Sequence, residues 1–300
     1  MSNNLELREV RKAYGDFVAV DSVSLAVPPG AVFGLLGQNG AGKTTSIRMI
    51  MDILAPDRGE VLFFGRPRQP EDLRRVGYLP EERGLYRKMT VFDHLLFFAE
   101  LHGVERRRAG KLIGEWLERV ELGQWAKAKV EALSKGMQQK IQLVGTILHD
   151  PDILILDEPF SGLDPIAQAL FKDLISDFKA RGKTILFSTH ILEQAEKLCD
   201  HICLISHGKV ILAGELAALK RERGGNVYRL TTSADRATVA ATSGVAEVLD
   251  QPSGLRLVLA ANADPAAVLR KLVQHGDVTD FRSEVPDLET LFIQAVRHAN

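Results

Sequence analysis

One stretch constrains the chain more than any other: Gly37-Gln38-Asn39-Gly40-Ala41-Gly42-Lys43-Thr44-Thr45. Its spacing is G-x-x-x-x-G-K-[ST], that of a phosphate-binding loop. An apolar run over residues 31–36 precedes it and reads as a buried strand. A helix is predicted over 45–54, with Ile47, Ile50, Met51 and Leu54 on one face. The loop thus joins a strand to a helix N-terminus, the setting the pattern needs. Glycines let the backbone turn tightly and bring its N–H groups against phosphate oxygens. The helix start adds unpaired donors and the positive end of a dipole. Lys43 suits the β- and γ-phosphates, and the Thr44 hydroxyl suits a magnesium ion.

Bulk properties set outer limits. Three hundred residues, 45% hydrophobic and 26% charged, fit one or two globular domains with a sizeable core. A net charge of −1 provides no global basic field for nucleic acid or anionic lipid. The two cysteines, Cys199 and Cys203, are too few for a disulfide framework. With His201 between them they suggest a metal site, but they read better as small apolar residues at a helix-to-strand junction. The N-terminus has no signal-peptide core, and no run of 18 apolar residues occurs, so a cytoplasmic, soluble chain is expected.

Ahead of the loop, residues 5–10 alternate and read as a half-exposed strand, 12–16 as a turn, and 17–27 as a second strand. Tyr14 falls in that predicted turn, where it is either a locally packed surface aromatic or a platform for a nucleobase. Strands follow over 60–64 and 76–80. Then comes a polar loop in which Glu81 and Glu82 are either solvated or near a metal. From Thr90, a cap residue, the pattern turns helical, and residues 85–135 read as an all-helical insertion. Ser134 is a plausible cap for a helix over 137–149, and the Gly136 N–H lies near its start. That makes either an ordinary capped helix or a second anion site.

The run 152–156 is a buried strand ending in Asp157 and Glu158. Carboxylates at the C-terminal end of a parallel strand sit where such sheets bind ligands. Asp157 suits Mg²⁺, and Glu158 suits the polarising of an attacking water. Asp164 caps a helix with Pro165 at its first position. Residues 183–188 form another apolar strand closed by Thr189 and His190, and a hairpin turns at His207-Gly208. Alternating strands and helices predict a mainly parallel sheet covered on both sides. After Gly224-Gly225, the order βαββαβ predicts a small ferredoxin-like domain with no catalytic constellation.

These motifs, in this order, resemble the nucleotide-binding subunit of an ABC transporter over residues 1–215. The resemblance makes Tyr14 the adenine-stacking aromatic and Gly37 to Thr45 the Walker A loop. It makes Asp157 and Glu158 the end of Walker B, Asp164 part of the D-loop, and His190 the switch histidine sensing the γ-phosphate. Leu133-Ser134-Lys135-Gly136-Met137 stands where the family has its LSGGQ signature. Tyr78-Leu79-Pro80-Glu81-Glu82-Arg83-Gly84-Leu85-Tyr86, Leu133 to Lys140 and the ending Pro286 to Phe292 are similar to the branch of NatA- and DrrA-like exporters.

There are two departures. Glu81 stands in place of the Q-loop glutamine, and a carboxylate is also a competent ligand for a hard metal ion. Lys135 and Met137 replace signature residues, while Ser134 and Gly136 keep hydroxyl and backbone donors.

The resemblance implies an α/β fold: a P-loop ABC cassette over 1–223 with N-terminal antiparallel strands and a helical insertion. An accessory α+β domain over 226–300 completes the chain. It further implies ATP and Mg²⁺ as ligands, a head-to-tail homodimer, and ATP hydrolysis driving export through a separate multi-spanning permease on the inner face of the membrane. A soluble ABC ATPase working on nucleic acid or the ribosome is the alternative. Such proteins often carry paired cassettes, coiled coils or basic tracts, and none occurs here, so no nucleic-acid partner is expected.

Overall fold

The computed structural model describes residues 3–82, 84–223, 227–251, 254–260, 262–284 and 286–299. The predicted linker glycines Gly224 and Gly225, and Arg83 of the polar loop, lie outside the described residues. The chain divides into two compact units, one ending at Gly214 and the other beginning at Glu215. The sequence expectation placed the boundary after 223. The helix over Leu216–Arg223 groups with the second unit instead.

In the first unit, β1 (Leu5–Tyr14) and β2 (Phe17–Val27) pair antiparallel. The turn expected over 12–16 is only Gly15-Asp16; Tyr14 is the last residue of β1. Strand β3 (Val32–Leu36) leads through the glycine loop to α1 (Lys43–Ile50), which starts two residues earlier than the periodicity suggested. Then come β4 (Arg58–Phe63), the two-residue β5 (Arg66–Pro67) and β6 (Val76–Leu79). The helical insertion holds α2 (Val91–Leu101) and α3 (Arg106–Arg119), and α4 (Lys135–Ile147) follows. Strand β7 (Ile153–Asp157), α5 (Pro165–Ala180), β8 (Thr184–Thr189), α6 (Leu192–Leu198), β9 (His201–Ser206) and β10 (Lys209–Glu215) complete the alternation.

Two sheets result. One is antiparallel, in the order β2-β1-β4-β5; the other has the order β10-β9-β3-β8-β7-β6. In the second, β9, β3, β8, β7 and β6 run parallel. Both faces of these parallel strands are buried, which explains their unbroken apolar sequence. Phe33, Leu35, Ile153 and Ile155 face a core shared with β1, β2 and α1. Val32, Leu154, Leu156 and Phe187 face α5 through Phe171, Leu174 and Phe178. Helix α4 serves two cores. Leu143 and Ile147 join the sheet layer, while Ile141, Val144 and Leu148 join α2 and α3.

The β9–β10 hairpin turns at His207 and Gly208, with φ of 48° and 76°, so both central residues are left-handed as a tight hairpin requires.

The second unit begins with α7 (Leu216–Arg223), then β11 (Val227–Thr232), α8 (Arg236–Ala241), β12 (Val245–Gln251) and β13 (Gly254–Leu259). It ends with α9 (Pro265–Leu272), β14 (Val278–Ser283) and α10 (Leu288–Ala299). The sheet order is β12-β13-β11-β14, with antiparallel pairing throughout. That is the ferredoxin-like arrangement expected from βαββαβ. Helices α8 and α9 cover one face through Val239, Val268 and Leu272, packed on Leu230 and Leu257. Among the described residues, no helix is long and apolar enough to cross a membrane.

Candidate functional site

The glycine loop is wedged between β9 and β2. A Cβ on Gly37 would meet the Ile205 carbonyl oxygen at 2.3 Å, and one on Gly42, at φ 107°, would meet that of Ala19 at 2.5 Å. Side chains are excluded at both places, so the loop backbone lies close against its neighbours. Inside the loop, the Lys43 ammonium donates to Gly37 O at 2.7 Å and Gln38 O at 3.2 Å. It also lies 3.3 Å from Glu158 Oε1, with both side chains under a tenth exposed. Helix α1 has no acid in its first turn. A buried cation, free helix-start amides and a dipole end converge on one place, which is an arrangement for phosphate.

A cavity of about 450 Å³ opens onto this loop. Its lining brings together Tyr14, Asn39, Gly40, Gly42, Lys43, Thr44, Thr45, Glu81 and Glu158. Two aromatics stand at its mouth: Tyr14 is 52% exposed and Phe17 is 62% exposed. The sequence pattern marks Tyr14 and leaves Phe17 unmarked. The two face each other in register across the β1–β2 hairpin, a signal available once that turn is narrowed to two residues. Gly37 and Ala41 shape the loop from behind, buried.

A neighbouring pocket is lined by Thr44, Tyr78, Glu81 and Asp157. Asp157 is 1% exposed, and burial pushes its carboxyl above the usual carboxylate range. Hydrogen bonds from Ser188 and Thr44, and the Lys43 charge, pull it back down, while Glu158 adds to the rise. Its Oδ1 accepts from the Ser188 hydroxyl. Its Oδ2 is buried with no hydrogen-bond partner. An orphaned carboxylate oxygen beside a threonine hydroxyl and a second carboxylate is a hard-oxygen donor set that fits Mg²⁺. Among the described residues, no three His, Cys, Asp or Glu side chains make a self-sufficient metal cage. Mg²⁺ commonly needs only one or two protein ligands beside substrate phosphates. Burial raises both thiols, that of Cys203 to about 12, so neither Cys199 nor Cys203 offers a thiolate at neutral pH.

Glu158 follows β7 with φ 48°, in the left-handed region. A non-glycine residue there stores of order 1–3 kcal/mol of strain, a feature that clusters at functional sites. Three contacts hold it. Its N–H donates to Ser188 Oγ at 3.0 Å, its Oε2 lies 3.1 Å from His190 Nδ1, and its Oε1 faces Lys43. The next residue is pinned as well: Gln139 of α4 donates to the Pro159 carbonyl at 3.0 Å. From the same helix, Gln142 donates to Pro80 O at 3.2 Å and to Glu82 O at 3.4 Å, fixing the loop that carries Glu81. Sequence spacing showed none of these braces.

The remaining predicted residues lie apart. Ser134 caps α4, its hydroxyl accepting from Met137 N at 3.3 Å. Ser134 and Lys135 are exposed and Gly136 is half-buried. Among the described residues, the lining of the phosphate-loop cavity includes none from 133–137. Asp164 caps α5, accepting from Ala167 N at 2.8 Å, and is itself exposed.

Comparison with known proteins agrees with this geometry. The ABC transporter family profile matches residues 20–161, and the profile of the C-terminal domain of DrrA1-3-like ATP-binding proteins matches 214–296. The chain is 41% identical to YhaQ, an uncharacterised ABC transporter ATP-binding protein of Bacillus subtilis (strain 168), over 97% of this chain and 98% of that one. It is 40% identical to a Nod factor export ATP-binding protein I of Cupriavidus metallidurans, over 72% of each chain. Among solved structures, an ATP-binding subunit of an ABC transporter superposes with a TM-score of 0.69 at 33% identity, covering 73% of this chain and 93% of that one.

Proposed function

The chain belongs to the ABC transporter ATP-binding family, as an ATP-binding ATPase subunit, and we propose that two copies close head to tail over ATP to drive export through a separate membrane permease. One observation carries the dimer: the start of α4, with exposed Ser134 and half-buried Gly136, lies outside the cavity that holds Lys43 and Glu158. This supports a second copy as the source of those donors. Exposed apolar side chains fit the same reading. Ile166, 78% exposed, follows Asp164, and Ile191, 39% exposed, follows His190. Both adjoin residues that this reading places at the seam.

In this mechanism Tyr14 and Phe17 bracket the adenine at the cavity mouth. Lys43 leaves its carbonyl partners, Gly37 and Gln38, for the phosphates, which the loop amides also meet. Thr44, Asp157 and Glu81 would hold Mg²⁺, which supplies charge neutralisation on the phosphate oxygens when bound. Glu158 orients the attacking water and takes its proton, and His190, 3.1 Å from it, meets the γ-phosphate. ATP favours the closed dimer only through its greater affinity for that state, so hydrolysis reopens it. Gln139 and Gln142 tie the same helix to Pro159 and to the Glu81 loop, so displacement of α4 reaches both.

The direction of transport rests on likeness to the Nod factor export relatives. The test is affinity purification of the tagged chain from gently solubilised native membranes, with bound proteins identified by mass spectrometry. A multi-spanning permease in stoichiometric amount is expected. Ribosomal or nucleic-acid partners instead would overturn the transporter role while leaving the ATPase intact.

A further inference from the structure

Ser188 touches both acids at the end of β7, although no motif spacing marks it. It lies in β8 directly across from Asp157 in the parallel register and is 0% exposed. A serine hydroxyl has one proton and two lone pairs. Here the proton goes to Asp157 Oδ1, and a lone pair receives the Glu158 N–H at 3.0 Å. The direction of both bonds is fixed, because an amide N–H can only donate and a carboxylate can only accept.

Two consequences follow from that one oxygen. Asp157 is left with Oδ2 as its free oxygen, buried and without a hydrogen-bond partner. The backbone of Glu158 is held at φ 48°, with its carboxylate between His190 and Lys43. A side chain of similar size without the hydroxyl would strand a carboxylate oxygen and an amide in a dry place. Asp157 would then keep only the Thr44 hydroxyl to orient its oxygens, and Glu158 would lose the bond that holds it in the left-handed region.

We propose that Ser188 is a positioning residue of the hydrolytic site, its hydroxyl setting both the Asp157 oxygen offered to a divalent cation and the aim of the Glu158 carboxylate. This rests on the reading of Asp157 as the metal-side acid and Glu158 as the water-side acid.

The test uses the full chain and three variants: Ser188→Ala, Ser188→Thr and Glu158→Gln. Manganese(II) binding is followed by electron paramagnetic resonance with a non-hydrolysable ATP analogue, nucleotide binding is measured in EDTA, and ATPase kcat is measured with Mg²⁺. For Ser188→Ala, manganese affinity is expected to fall about tenfold and kcat about 10- to 100-fold, as for other groups that orient a ligand. Nucleotide affinity in EDTA should not move, and Ser188→Thr, which keeps the hydroxyl, should recover both losses. Unchanged manganese affinity and kcat in Ser188→Ala, beside an inactive Glu158→Gln, would overturn the proposal and leave the acids' roles standing. Equal loss of nucleotide affinity with and without metal would also overturn it, as general damage to the site. Full turnover in Glu158→Gln would remove the reading on which the proposal rests.

Discussion

In the first unit the interior holds ionisable side chains, and in the second it holds almost none. Lys43, Asp72, His94, Asp157 and Glu158 are all buried in the first. Among the described residues, the second unit buries one polar side chain, Thr242, whose hydroxyl merely donates to Thr238 O within its own helix. Both units are α/β layers packed by the same apolar logic. The difference lies in what the strand ends carry. Burying a carboxylate or an ammonium is unfavourable unless it is paired, so chains keep such groups inside where they do chemistry. In the first unit three of the five line two neighbouring pockets, Lys43 and Glu158 one and Asp157 the other, and Glu158 has a strained backbone.

If that contrast is right, damage to the two interiors should separate. Leu257→Ala removes a fully buried side chain from the second core and should destabilise that unit by about 2–5 kcal/mol. Both tryptophans, Trp116 and Trp125, lie in the first unit, so far-UV circular dichroism should show an earlier transition while tryptophan fluorescence keeps its midpoint. ATPase activity of the folded variant should be retained. A proportional loss of turnover would break the contrast.

Acid should act the other way round. Burial lowers His94 from 6.5 to about 4, so it stays neutral in the folded first unit. Between those values the unfolded chain binds a proton that the folded one does not, so stability falls as pH drops from 6.5 to 4 and levels off below. This contribution is roughly 3 kcal/mol, read as a falling urea midpoint by tryptophan fluorescence. A flat fluorescence midpoint across that window would contradict the burial of His94.

The smallest effect sharpens the site itself. Lys43→Ala should weaken ATP binding about 10- to 100-fold, the loss of charge-assisted contacts worth about 1.5–3 kcal/mol. Unaltered nucleotide affinity by calorimetry would argue against the phosphate assignment of the loop.

Local patterns carried much of this into the sequence. The phosphate loop, the caps Thr90, Ser134 and Asp164, and the βαββαβ order are short-range chemistry, and each appears where the residues pointed. The misplaced features are element ends. The turn at Tyr14 proved narrower and α1 starts at Lys43, because backbone pairing with β2 and loop closure override local periodicity. What stayed hidden is contact across sequence distance. Ser188 meets Asp157 and Glu158 only through parallel register, and Gln139 meets Pro159 only because α4 packs on the sheet layer. A serine in an apolar strand and a glutamine on a helix carry no local mark of such roles.

Glu158 is proposed to perform hydrolysis in a site completed by a second copy. Light scattering on Glu158→Gln, with ATP and magnesium and then with ADP, tests it most directly, with phosphate release measured on the same samples. Twice the chain mass is expected with ATP, a single chain with ADP, and release reduced about 10²- to 10⁴-fold from loss of the base. A single-chain mass at saturating ATP, together with release at the wild-type rate, would contradict both the dimer and the role of Glu158.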